Sequence, residues 1–275
     1  MKKILTAVLS FSMIACLAAC GSSSSSSASS STADTATVDE TEAAGTGSFT
    51  TIEDGKLHMA TNAAFPPYEM TTDDGGYEGI DVEIAQKICD KLGLELVVDD
   101  QDFSSVITSV QSGKSDIAMA GLTETDERKK NIDFTDTYAT AVQSIIVTDD
   151  SDIQTADDLA NASSIGCQEG TTGALYCTDD YGEDHVTTYQ DGATAVQALI
   201  SGKVDAVVID NAPAQEYVEN NDGIKILDSA YTEEEYAIGV SKDNPELREA
   251  INQALKELQD DGTVQQIIDK YIKAD

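Results

Sequence analysis

A two-lobed α/β fold is what this 275-residue chain predicts. Three observations carry that expectation. Hydrophobic periods switch between strand and helix along residues 49–275, glycines mark the switches, and one helix-to-strand junction occurs twice. Strands alternating with helices favour mainly parallel sheets flanked by helices in each lobe, and two lobes imply a ligand cleft between them.

In chain order, residues 56–61 predict a short strand. Ile80, Ile84, Ile88 and Leu92 recur at helical spacing with Ala85 and Cys89 beside them, so an amphipathic helix follows. Asp81 is placed to cap its start and Gly93 to end it. Residues 94–98 predict a strand, and Ser104 or Ser105 caps a helix through Val106, Ile107 and Val110 that stops at Gly113. Residues 117–120 predict the next strand. Near the end of the chain, Ile251, Leu255 and Leu258 line one helix, and Val264, Ile267, Ile268 and Tyr271 line another.

The repeated junction is SGKSD, from Ser112 to Asp116, followed by Ile-Ala-Met. It returns as SGKVD, from Ser201 to Asp205, followed by Ala-Val-Val. In each copy the glycine closes a helix and the aspartate leads into a buried strand. Two α/β units of comparable length point to two lobes rather than one sheet.

The first residues differ from all that follow. Lys2 and Lys3 precede an apolar run from Ile4 to Ala15, and Leu17-Ala18-Ala19 stops at Cys20. A secretory signal has this layout, and a cysteine at the cleavage point resembles the bacterial lipobox, in which that cysteine is acylated. Residues 1–19 are therefore expected to be a lipoprotein signal peptide. Residues 20–48, serine-rich and then acidic without apolar periodicity, are expected to be a solvated tether behind the lipidated Cys20. The apolar run is shorter than the ~20 residues of a spanning helix, so the lipid is the expected membrane attachment.

With 16 basic and 51 acidic residues the formal net charge is −35, which disfavours nucleic acid and anionic lipid as partners. Of five cysteines, Cys89 falls on an apolar helical face, while Cys167 and Cys177 leave a disulfide open. His58 and His185 are isolated, and no metal spacing, P-loop, GxGxxG or GxSxG motif occurs. No cofactor is expected.

The stretch TNAAFPPYEM at 61–70, GYEGIDVEIAQKI at 76–88, the run from Asp102 to Tyr138, IGCQEGTTGAL at 165–175 and AVVIDNAP at 206–213 stand in one order. Together they resemble the polar amino-acid-binding proteins of ABC importers, solute-binding proteins with the type II periplasmic-binding fold. The resemblance implies that Arg128 takes the ligand α-carboxylate through a planar guanidinium fork. It implies further carboxylate contacts from Thr172 and Thr171 at a helix N-terminus, where unpaired N–H groups favour an anion. Thr123 is implied to serve both ligand charges and Gly121 the ammonium through its carbonyl, with Asp210 as the acid for that ammonium. Phe65 and Phe103 are implied to sandwich the ligand side chain, and Asn62 and Gln168 to tune specificity.

Read alone, these residues also have plainer roles: Asp126 to Lys130 as a solvated helix start, the threonines as caps, the phenylalanines as core. The expected organisation is lobe 1 at 49–140 plus 237–275 and lobe 2 at 141–236, with crossings near 138–143 and 232–236. A monomeric, lipid-anchored receptor that delivers an amino acid to a membrane permease follows. The alternative on the same fold is a cyclohexadienyl dehydratase-like enzyme with Glu169 as its acid.

Overall fold

A computed structural model describes residues 49–272. The leader, Cys20 and the tether expected at 1–48 lie outside the described residues. Strands β1 (Lys56–Thr61), β2 (Ala64–Phe65), β3 (Glu69–Thr71) and β4 (Tyr77–Glu78) precede helix α1 (Ile80–Leu92). Then come β5 (Glu95–Asp100), α2 (Phe103–Gln111), β6 (Ile117–Ala118) and the long β7 (Asp133–Thr148). The middle of the chain gives β8 (Ile165–Gln168), α3 (Thr172–Tyr181), β9 (Val186–Tyr189), α4 (Gly192–Ile200), β10 (Ala206–Asp210), α5 (Asn211–Glu219) and β11 (Ile224–Ile226). It closes with β12 (Thr232–Val240), α6 (Pro245–Asp260) and α7 (Thr263–Tyr271). Among the described residues no helix is long and apolar enough to cross a membrane.

Strand pairing follows the order β5-β1-β6-β12-β7-β10-β8-β9, with β11 also on β7. Parallel pairs β1–β5 and β1–β6 make one end, and parallel pairs β8–β9 and β8–β10 make the other. Between them β7 and β12 pair antiparallel, from Thr232 opposite Gln143 to Val240 opposite Asp133. Both parallel groups are thus joined through β7 and β12, whose register shifts between Tyr236 and Ala237 and between Ala237 and Gly239. The sequence separated them into two sheets because its repeat reports only the parallel units.

The amphipathic stripes bury as their spacing requires. Ile80, Ile84 and Ile88 are fully buried, α1 packs on α6 and α7, and Ile251 and Leu255 of α6 are buried in the same core. The repeated junction is real in three dimensions: Gly113 and Gly202 both take φ 68°, and each aspartate carboxylate accepts backbone N–H groups. Asp116 takes those of Ile52 and His58, both at 2.8 Å, and Asp205 those of Ser163 and Ser164 at 2.6 and 3.2 Å.

Two caps differ from expectation. Gly79 is the N-cap of α1, and Asp81 turns into the interior instead. Asp102, not Ser104 or Ser105, precedes α2. Strand β6 stops at Ala118, short of residue 120, and the chain turns at Gly121, whose φ is 53°. Cys89, Cys167 and Cys177 are buried free thiols, so the open disulfide is not formed.

Candidate functional site

The ends of β1, β8 and β10, the start of α2 and α3, and the turn after β6 converge on one cleft. Of the residues implied by the resemblance, Asn62, Phe65, Phe103, Gly121, Arg128, Gln168, Thr171, Thr172 and Asp210 line it. Ala120, which the sequence did not single out, lines it too. Thr123 lies beside this cleft, in an adjoining groove with Glu124, Tyr176 and Glu234.

Arg128 opens a short 3-10 turn and is buried, whereas its neighbours Lys129 and Lys130 are exposed and paired with Glu124 and Glu127. Its guanidinium donates to the Thr123 carbonyl at 2.7 Å and the Gly170 carbonyl at 3.1 Å, and stands 5.5 Å over the Phe103 ring. Burial lowers its pKa, opposed by the charge of Glu234 and, more weakly, of Asp210. Neither partner is a carboxylate, so the charge remains available to an anion in the cleft.

Asp210 ends β10 and is buried. Its Oδ1 accepts the Tyr236 hydroxyl, and its Oδ2 accepts Gln143 Nε2 at 2.9 Å. The same Nε2 donates to Glu234 Oε2 at 2.9 Å, so one amide bridges two acids. Burial pushes the Asp210 carboxyl up to about 7; the Tyr236 hydrogen bond pulls it down, and the Glu234 charge adds to the rise. Gln143 and Tyr236 fall in the crossing segments that the sequence identified. Nothing in the local pattern showed that they would meet Asp210.

Thr171 caps α3: its hydroxyl accepts Ala174 N–H at 3.2 Å and donates to the Gln168 carbonyl at 2.8 Å. Thr172 is buried as the first residue of that helix, so the positive end of α3 faces the cleft. Gln168 Nε2 donates to Asn62 Oδ1 at 2.9 Å and to the Gln190 carbonyl at 3.2 Å. Asn62 Nδ2 donates to the Gln101 carbonyl at 3.0 Å, completing a neutral amide pair across the cleft. Phe65 is buried and stacks on Tyr68 with ring centroids 5.7 Å apart, while Phe103 is half-buried. Gly121 is required beneath Phe65, because a Cβ there would stand 2.8 Å from Phe65 Cε1 at an unfavourable φ. Glu169 is exposed and does not line the cleft.

A mixed α/β frame with Arg128 and Asp210 buried in one cleft at strand ends fits a small-solute receptor. The chain belongs to the bacterial extracellular solute-binding proteins, family 3, which match residues 57–274. The L-cystine-binding protein TcyJ of Escherichia coli is 31% identical over 81% of this chain and 85% of its own. The ABC transporter glutamine-binding protein GlnH of Bacillus subtilis is 32% identical over 100% and 99%. An ancestral arginine-binding protein solved with bound glutamine superposes with TM-score 0.76 at 39% identity, over 81% of this chain and 100% of that one. The fold is therefore the type II periplasmic-binding fold.

Proposed function

We propose that this chain is an extracytoplasmic receptor that captures an α-amino acid and delivers it to the permease of an ABC importer. One observation carries the reading: Arg128 and Asp210, of opposite charge and both buried, line the same cleft. A zwitterion matches that pair. Its carboxylate takes the Arg128 fork and the Thr172 N–H, whereas the Thr171 N–H already donates to the Gln168 carbonyl at 3.4 Å, and its ammonium takes Asp210 and the Gly121 carbonyl. Thr123 adds a contact from the adjoining groove, Phe65 and Phe103 hold the side chain, and Asn62 and Gln168 select it. Relatives named for cystine, glutamine and arginine binding support the ligand class.

In this reading residues 49–140 with 237–275 form one lobe and 141–236 the other. Arg128 then belongs to the first lobe and Asp210 to the second, so ligand favours the state that brings them together. The receptor works as a monomer and is held at the outer face of the cell membrane by acylated Cys20. Capture rather than turnover fits a cleft that Glu169 does not enter.

A thermal-shift screen against the standard amino acids, ornithine and cystine tests the reading. A ligand present at about 100 times its Kd adds about 2.7 kcal/mol of stability. At least one amino acid should raise the Tm clearly, and Arg128→Ala should abolish that rise while leaving the unliganded fold intact. A flat panel, or undiminished affinity in the variant, overturns it.

A further inference from the structure

Asp81 is fully buried at the second position of α1, yet its hydrogen bonds do not serve that helix. Its Oδ2 accepts two of them, from the Gly121 N–H at 2.8 Å and from the Tyr138 hydroxyl at 2.8 Å. Gly121 is a wall of the cleft, and Tyr138 lies on β7, the long strand that pairs with β12. The other oxygen, Oδ1, has no hydrogen-bond partner.

The titratable groups facing Asp81 are Glu69 from β3, Tyr68 immediately before it, and Tyr138 from β7; none is a cation. Glu69 is itself fully buried, and neither of its oxygens receives a donor, so its contact with Asp81 is made through a carboxyl proton. Burial, then the charge of Asp81 and the hydrogen bond shared with it, push the Glu69 carboxyl well up. The negative charge of the pair rests on Asp81. Burial raises Asp81 to about 6, and the hydrogen bonds from Gly121, Tyr138 and Glu69 restrain the rise. A buried anion without a cation is costly, so the hydrogen bonds from Gly121, Tyr138 and Glu69 and the positive end of α1 are what favour its ionised form.

Gly121 needs such a restraint. It lacks a side chain, sits at φ 53°, and has Phe65 and Tyr236 close on either side. A glycine peptide is free to rotate unless something holds it. We propose that Asp81 is a positioning residue of the amino-acid site: its carboxylate holds the Gly121 peptide at the cleft wall and ties it to β7 through Tyr138. This rests on the amino-acid reading above. It assigns to the acid in GIDV a task at the cleft rather than at the end of its helix.

The test compares Asp81→Asn with wild type in the full chain, by calorimetric titration with the amino acid that wild type binds best. At about pH 7.5 the variant should bind about tenfold more weakly, the size expected for losing a hydrogen bond to a charged group. Toward about pH 5 the two Kd values should converge to within about twofold, because protonated Asp81 then resembles the amide. A purely packing role would leave the ratio independent of pH. A ratio near one at about pH 7.5, or one that does not change with pH, overturns the proposal.

If Asp81→Asn does not fold, the Gly121 amide resonance of wild type serves instead. It should titrate with a midpoint near the Asp81 value of about 6, and that midpoint should fall when amino acid is added. A resonance that does not titrate, or whose midpoint ignores the ligand, overturns the proposal. A wild-type chain that binds no amino acid fails the parent reading and this proposal together. Binding by wild type with an unmoved ratio fails this proposal alone.

Discussion

Asp210 carries the clearest pH signature of any single residue here. Its carboxyl titrates near 7 in the folded protein, mainly through burial, against about 3.9 in an unfolded chain. Folding therefore takes up a proton between those values. The Asp210 contribution to stability is complete at low pH and is lost as pH rises through about 7. Binding has the opposite sign, because an ammonium pairs with the carboxylate and not with the acid. Amino-acid affinity should fall as pH drops below about 7, approaching about tenfold per unit. Asp210→Asn should bind weakly at every pH and retain only the shallower dependence near 6 that belongs to Asp81; calorimetry across pH measures both. Arg128 and Asp210 were singled out as candidates by the family resemblance, and both line the cleft. Their supports were not: Gln143 and Tyr236 reach Asp210 only because β7 and β12 run side by side, a pairing between distant segments that no local pattern records.

Among the elements, helices were legible where apolar residues repeat and less so at their ends. The stripe of α1 is fully determined by Ile80, Ile84 and Ile88, but its cap is a glycine, because the acid beside it is engaged elsewhere. Helix α6 shows the opposite case, a start held by local chemistry. Asn244 accepts the Leu247 N–H at 3.3 Å, and Pro245 occupies the first turn. Asn244→Ala should cost about 1 kcal/mol in urea unfolding with the m-value unchanged. Truncating the core face costs more: Ile84→Ala should lose about 2–5 kcal/mol in the same measurement, since the side chain is fully enclosed. Strand β6 was overestimated because hydrophobicity continues through Met119 and Ala120, whereas the ladder ends where Gly121 turns the chain into the cleft.

For the molecule as a whole, the paired junctions at Gly113 and Gly202 revealed two α/β units but not the ladder joining them. In the proposed reading, placement at the membrane rests on the first twenty residues. Cys20→Ser should abolish incorporation of a palmitate analogue and release the receptor from washed cells into the medium, read by labelling and blotting of both fractions. Retention of the variant on the cells would count against the anchor. A tether from residue 20 to 48 would then raise the receptor's effective concentration at its permease without any added contact.

Cys167 and Cys177 lie buried together as free thiols, and the Cys167 thiol is pushed well up by its hydrogen bond to Cys177 and by burial. Thiol exchange proceeds through the thiolate, so this pair is chemically quiet once the chain has folded. Maturation outside the cytoplasm then asks for no oxidant and no shuffling of cross-links. A receptor made this way reaches its folded form without a cross-link between Cys167 and Cys177.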